Sequence, residues 1–226
     1  MRRTLIFAAA LAVLRAPALL AQAPDTTAAL GDAEVQEAIR YGQAHRNTVV
    51  GLTLGAYSTG FMNGRCPPGP ILATRAECQY GILVQSPFAR IATAAAAAAG
   101  RYRPFPADSV NAEMRSRLIS VTITPIAPYL GETQWVVIPS ADHVVLQGYA
   151  QRRADPNDVI QPLRVDKVPV RWSNGQGGNF DGFTAVAWFP ETVIPNADFD
   201  IVIITGGPEA RSKVHPGDMR QVTRAH

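Results

Sequence analysis

The stretch FDGFTAVAWFPETVIPNADFDIVIIT, Phe180 to Thr205, decides the fold. Side chains alternate along a strand, so Phe183, Ala185, Ala187 and Phe189 fall on one face while Thr184, Val186 and Trp188 fall on the other. Both faces are mostly apolar. In the second half, Phe199, Ile201 and Ile203 oppose Val202 and Ile204, so this strand also needs cover on both sides. Between them, Pro190, Pro195 and Asn196 favour a bent connection and disfavour a continuous helix or ladder. The stretch reads as two neighbouring core strands joined by a corner.

This strand, corner and strand resembles the immunoglobulin-like sandwich, in which a tyrosine near the start of the later strand hydrogen-bonds back to the corner. Phe199 stands at that position and has no hydroxyl, and no cysteine beyond Cys78 exists to form an inter-sheet disulfide. The resemblance therefore covers packing alone and implies no function. Upstream, Ile119, Val121 and Ile123 alternate with Ser120, Thr122 and Thr124, the pattern of an outer strand with one wet face. Further strands are expected at about Thr133 to Pro139, His143 to Arg152, Val159 to Val165, Val168 to Trp172 and Arg211 to Val214, with turns at DPND from Asp155 and NGQGG from Asn174. Residues 115–214 are thus expected to form an antiparallel β-sandwich, immunoglobulin-like by analogy. The tail, 215–226, has little to bury and reads as disordered.

Residues 32–114 read as a helix-and-strand part, making the whole a mixed α+β chain. Asp32 is a plausible N-cap for an amphipathic helix bearing Val35, Ala38, Ile39 and Gly42, with Gly42 admitting a close neighbour. TVVGLTLGAYSTGF from Thr48 and GILVQ from Gly81 read as strands. Between them Cys66 and Cys78 are expected to pair as a structural staple, worth about 3 kcal/mol in the simplest loop-entropy model. Ser86 and Pro87 then open PFARIATAAAAAAG, a helix with Phe88, Ile91, Ala92 and Ala95 inward and Gly100 ending it in the left-handed conformation. An extended bridge and a short helical turn lead to a join near Met114.

The chain opens with Arg2 and Arg3, then LIFAAALAVL, then Ala21-Gln22-Ala23, which reads as a secretory signal peptide over 1–23, cut after Ala21 or Ala23, with a loose leader over 24–31. Arg15 interrupts the apolar run, so no transmembrane span is expected in the mature chain. The small-residue, Arg-rich style suggests a bacterial protein exported to the periplasm or beyond. Removing Arg2, Arg3 and Arg15 leaves 18 basic residues against 18 acidic ones. The formal charge of +3 thus belongs to the precursor and argues for no nucleic-acid or anionic-membrane partner. Arg101 with Arg103, and Arg152 with Arg153, read as solvated loop charges.

Chemistry is sparse. Ser140, Asp142 and His143 have the residue types of a nucleophilic triad, but such triads are assembled from distant segments, and these three read as turn formers. Ser58 in GAYSTG has the wrong spacing for a nucleophile elbow. His45, His143, His215 and His226 are scattered, and Asp155, Asn157 and Asp158 lack the regular spacing of a calcium loop. Asp181, Asp198 and Asp200 are carboxylates of unknown mutual geometry. The possible ligand loop is Asn174, Gly175, Gln176, Gly177, Gly178 and Asn179; it has no G-K-S/T and precedes a strand, so it is no phosphate loop. No catalytic residue, metal site or cofactor is assigned. The sequence favours an exported non-enzymatic protein that binds or supports another protein in the bacterial envelope, through a sandwich edge, an end loop or the Ala-rich helix. The alternatives are a carbohydrate- or cell-wall-binding module, with Trp135, Trp172, Trp188 and the six tyrosines as stacking candidates although two of the tryptophans sit in strongly apolar strands and read as core, and a hydrolase with an unrecognised site.

Overall fold

The computed structural model describes residues 29–58, 80–125, 129–130, 134–135, 140–150, 153–173, 179–205 and 209–223. The signal-peptide reading over 1–23, residues 24–28 of the leader, the Cys66 to Cys78 loop and residues 174–178 of the ligand loop lie outside them. The end of the leader is not loose: Ala29 bridges Ser116, and Leu30 is buried with its N–H donating to Arg115 O at 2.9 Å. In chain order the elements are α1 (Asp32–Ala44), β1 (Leu52–Ser58), β2 (Tyr80–Gln85), α2 (Pro87–Gly100), α3 (Ala112–Arg115), β3 (Leu118–Pro125), β4 (Tyr129–Leu130), β5 (Gln134–Trp135), β6 (His143–Ala150), β7 (Arg153–Ile160), β8 (Arg164–Ser173), β9 (Asn179–Pro190), β10 (Phe199–Ile204), β11 (Ala210–Val214) and α4 (Pro216–Thr223). Single 3-10 turns occupy Ala107–Ser109 and Glu191–Val193. The fold is mixed α+β and its strands pair antiparallel.

Nine strands form one sheet in the order β7-β6-β10-β11-β1-β2-β3-β9-β8, while β4 pairs with β5 apart from it. β1 is the joint, because Leu52 to Ala56 pair with β2 whereas Tyr57 and Ser58 pair with β11. Inward side chains from both halves share one core. Ile82, Ile119, Ile123 and Phe189 from one half meet Val144, Leu146, Phe199, Ile201 and Ile203 from the other. Each such side chain contributes roughly 1.5–3 kcal/mol by leaving water. Strands upstream and downstream of Met114 therefore sit in the same sheet and the same core.

The alternation read from Phe180 to Thr205 holds, since Ala185, Ala187, Phe189, Phe199, Ile201 and Ile203 are all inside and Trp188 and Val202 on the opposite faces are buried too. The two strands are not neighbours. β9 lies between β3 and β8, β10 lies between β6 and β11, and the proline-bounded corner carries the chain from one half to the other. β3 is likewise an interior strand, paired along both edges, and its Ser120 is buried. Alternation reports two chemically different faces but not which strand lies alongside.

DPND is not a turn. It lies within β7, whose register against β6 slips between Gln147 and Tyr149. The surplus residues of β7 bulge opposite Gly148, where an added Cβ would lie 1.8 Å from Asp158 Oδ2. A bulge on an edge strand accommodates Pro156. On the opposite edge, β8 runs unbroken through Pro169, which the free side of an edge strand also tolerates.

α1 and α2 enclose a second core of Leu30, Val35, Ala38, Ile39, Phe88, Ile91, Ala92, Ala95 and Val110. Gly42 permits their approach, as a Cβ there would sit 2.1 Å from the Ala92 carbonyl oxygen. Ser86 Oγ accepts from Ala89 N at 3.2 Å with Pro87 as the first helical residue. Two helix ends differ from the reading. Gly31, not Asp32, is the N-cap of α1, its N–H donating to Glu34 Oε2 at 2.8 Å. Gly100 is the last helical residue, and the left-handed position is Tyr102, φ 55°. Gly100 instead makes room for Asn47, whose Oδ1 would lie 1.7 Å from an added Cβ.

The tail from His215 forms α4, whose Met219 and Val222 complete the main core. His215 N–H donates to Asp218 Oδ2 at 2.9 Å and fixes the helix start. The sequence places only two apolar residues in α4, three apart, enough for one inward stripe.

Gly42→Ala should destabilise the protein by about 1–3 kcal/mol through overpacking against the Ala92 backbone. A thermal melt checks this, and an unchanged midpoint would show that α1 and α2 separate at no cost.

Candidate functional site

The residue types of a triad diverge in space. Ser140 Oγ accepts from Phe183 N at 2.9 Å, Asp142 pairs with Lys167 Nζ at 3.3 Å, and His143 Nε2 meets Gln161 Oε1 at 2.7 Å. Each side chain serves a different scaffold contact. Asp181 pairs with Arg171 near the β8 edge, the two exposed and 2.7 Å apart. Asp158 lies against Gly148, and among the described residues no group of His, Cys, Asp and Glu is arranged to hold a metal ion.

The outer face of β6, β10 and β11 carries the densest polar assembly. Strand pairing sets Gln147, Asp200 and Lys213 in one row and Val145, Val202 and Arg211 in the next. Asp200, with its side chain only 9% exposed, accepts from Tyr149 Oη at 2.6 Å and lies 3.5 Å from Arg211 Nη1. Arg211 also donates to Gln147 Oε1 at 2.6 Å and Glu209 Oε2 at 2.8 Å. Burial, then the neighbouring Asp200 carboxylate, hold the Tyr149 phenol well above the ordinary tyrosine range. It stays a proton donor and makes no phenolate nucleophile near neutral pH. Beside it, Lys213 lies 4.6 Å from the Tyr149 ring centroid, and Asp198 meets Lys213 at 3.2 Å and His215 at 3.0 Å. The hydrogen bonds from His215, then Lys213, hold Asp198 below the usual carboxylate range. Asp198 and Asp200 are thus engaged with separate cations.

A second assembly joins the helical layer to the sheet. Arg90 donates from Nη1 to Leu118 O at 2.5 Å and from Nη2 to Ser116 O at 3.1 Å, with Gln85, Glu113 and Met114 carbonyls within 3.5 Å. Its guanidinium also lies 5.0 Å from the Trp188 ring centroid, and that of Arg164 lies at 4.8 Å. Trp188 Nε1 donates to Asp166 Oδ2 at 2.7 Å. Trp188 is consumed by this clamp and offers no stacking platform for a sugar. Burial lowers Arg90 to about 10, so it remains a cation at neutral pH. The sequence signal was a lone arginine on an alanine helix beside Phe88 and Ile91.

Tyr80 belongs to the main core at 3% exposure, and its hydroxyl bonds to the Thr205 side chain just past β10. This contact links the two halves of the sheet. Burial pushes the Tyr80 phenol up to about 12.

The sheet half β1-β2-β3-β9-β8 presents a third feature. α2 and Arg90 overlie its end row, Gln85, Ser120 and Trp188, and beyond them lie half-buried Thr53, Leu83, Thr122, Val186, Thr124 and Thr184. Thr124 and Thr184 hydroxyls are 3.3 Å apart, and Val168 at the β8 edge is 50% exposed. The strip is uncharged across β1, β2, β3 and β9, and on β8 its Val186 row ends at Asp166, which pairs with Arg164 at 3.0 Å. Of the ligand loop, Asn179 is the first residue of β9 and pairs with Ser173.

Arg90→Leu leaves buried carbonyls without donors and should cost about 3 kcal/mol or more. Chemical denaturation measures it, and a loss below half that would show that solvent replaces the guanidinium. Tyr80 has a folded pKa above its unfolded value near 10, so its contribution is full below pH 10 and lost as pH rises toward 12. Denaturant midpoints across that window should fall less for Tyr80→Phe than for the parent; equal falls would contradict the assignment.

No family model, curated protein or solved structure matches this chain.

Proposed function

We propose that this is an exported, non-enzymatic bacterial protein that binds or supports another protein in the cell envelope. The observation that carries the reading is how its polar side chains are used. Ser140, Asp142, His143, Asp198, Asp200 and Arg90 each serve a separate scaffold contact, whereas an uncharged, half-open strip of threonine, leucine and valine crosses one sheet face. Uncharged pleated surface of this kind suits a broad protein contact.

Of the three contact routes considered, two are disfavoured. Ala92 and Ala95 of the Ala-rich α2 are buried against α1, and Pro169 blunts the β8 edge against an added strand. The strip takes their place. Two sheet halves closed over one core favour a sandwich, with immunoglobulin-like character limited to the β9, corner and β10 connection; the Phe199 position still lacks the hydroxyl of that family's corner. Burial of Trp188 under Arg90 weighs against the carbohydrate-binding alternative, and the divergence of Ser140, Asp142 and His143 weighs against the hydrolase. Localisation in the periplasm or outside the cell follows the signal-peptide reading.

Native fractionation of the producing cell's envelope tests the proposal. The protein should migrate above its monomer mass with the same companions in repeated runs, and Thr122→Lys with Thr184→Lys should return it to a folded monomer. A wild-type monomer throughout, or a complex that survives both lysines, would overturn the strip as a protein contact.

A further inference from the structure

The charges of the described side chains are unevenly satisfied. On the sheet and its borders Arg115, Arg117, Arg164, Lys167, Arg171, Arg211 and Lys213 each pair with a carboxylate. Arg90 is spent on backbone carbonyls. Among the described residues, Arg40, Arg46, Arg101 and Arg103 have no ion pair, and all four belong to α1, α2 or the turns that follow them.

Three of these meet at one place. α1 and α2 end side by side, with Asn47 N donating to Ala96 O at 3.2 Å and Asn47 packed on Gly100. Arg46, Arg101 and Arg103 follow these two helix ends directly. Arginines there ordinarily serve the last helical carbonyls. Here the backbone N–H groups of Arg101, Tyr102 and Arg103 do so, bonding Ala98 and Ala99 carbonyls, and none of the three guanidiniums donates to a carbonyl. The scaffold does not use these charges.

Tyr102 sits among them in the left-handed region, φ 55°, with its side chain almost wholly in solvent at 87% exposure. This left-handed residue ends α2, the N–H groups of Tyr102 and Arg103 closing on the Ala99 and Ala98 carbonyls. Arg46 lies 5.5 Å from the ring centroid and orients it, and Val49 nearby in sequence is 56% exposed. We propose that Arg46, Arg101, Tyr102 and Arg103 form a docking tip for an anionic phospholipid membrane surface.

Charge complementarity selects an anionic partner, and the geometry selects a membrane over an acidic protein. A tyrosine so exposed has no pocket walls around it, whereas protein hot spots are enclosed and desolvated. A bilayer supplies the enclosing medium itself, and tyrosine with arginine is the pair that settles at its interface. The formally neutral balance of the mature chain conceals this tip because the paired charges of the sheet cancel. The inference stands independently of which protein the sheet strip contacts.

Sedimentation of the purified full chain with vesicles tests it, using phosphatidylcholine alone and phosphatidylcholine mixed with phosphatidylglycerol. Binding should require phosphatidylglycerol and weaken as salt is raised. Arg101→Gln and Arg103→Gln should each weaken it about fivefold. Tyr102→Gly keeps the left-handed backbone while removing the ring, and should weaken binding several-fold without lowering the melting temperature. Arg117→Gln, whose parent arginine pairs with Glu34 and Glu191, should bind like the parent. Equal binding to both vesicle types, no binding to either, unaltered binding by the Arg101 and Arg103 variants, or retention of polyglutamate in place of vesicles would overturn the proposal.

Discussion

Everything in this fold depends on β1 serving both halves of the sheet at once. Its first five residues complete β2, and its last two complete β11, so one short strand turns the sheet back over its own apolar face. Ala56, fully buried at the change of partner, leaves room for that turn. Gly51 enters the strand at φ 144°, where an added Cβ would lie 2.6 Å from the Val84 carbonyl oxygen. Tyr80 then binds the halves from inside through Thr205, and α4 closes one end with Met219 and Val222. The core exists only when both halves are present.

Groups with reactive potential are drawn into keeping the layers together: Arg90 holds α2 to the start of β3, Asp200 holds Tyr149 and Arg211 on the outer face, and His143 reaches Gln161 past the end of β7. What the scaffold leaves over is surface, a threonine-rich strip on the sheet and a basic aromatic tip on the helices. Our proposals rest on these two remainders. They are compatible with one protein held at a membrane while its sheet face meets a partner.

Much of the interior was legible in the sequence because it follows local rules. The period of two places Phe189, Ile119 and Ile201 inside, and the Ser86-Pro87 pair marks the start of α2. Gly42 was legible as a close approach, though not its partner. The missed features are non-local. β9 and β10 look like partners because each is apolar on both faces, but the outer face of one is covered only at Trp188, by Arg90 of α2, and that of the other by Arg211 and its neighbours. α4 was hidden because two apolar residues give a weak period, and their value depends on an opening left by distant strands. The bulge opposite Gly148 depends on pairing that DPND alone does not reveal. The outer polar cluster was invisible for the same reason, since Tyr149, Asp200 and Arg211 come from three separated strands.

The central claim is that one closed core, joined at β1, underlies the whole surface. Native-state amide hydrogen exchange tests it most directly. Amides of β2, β3 and β9 and those of β6, β10 and β11 should share one slowest-exchanging free energy, equal to that of global unfolding, and respond together to denaturant. Two separate exchange classes, one for β2, β3 and β9 and one for β6, β10 and β11, would contradict the account.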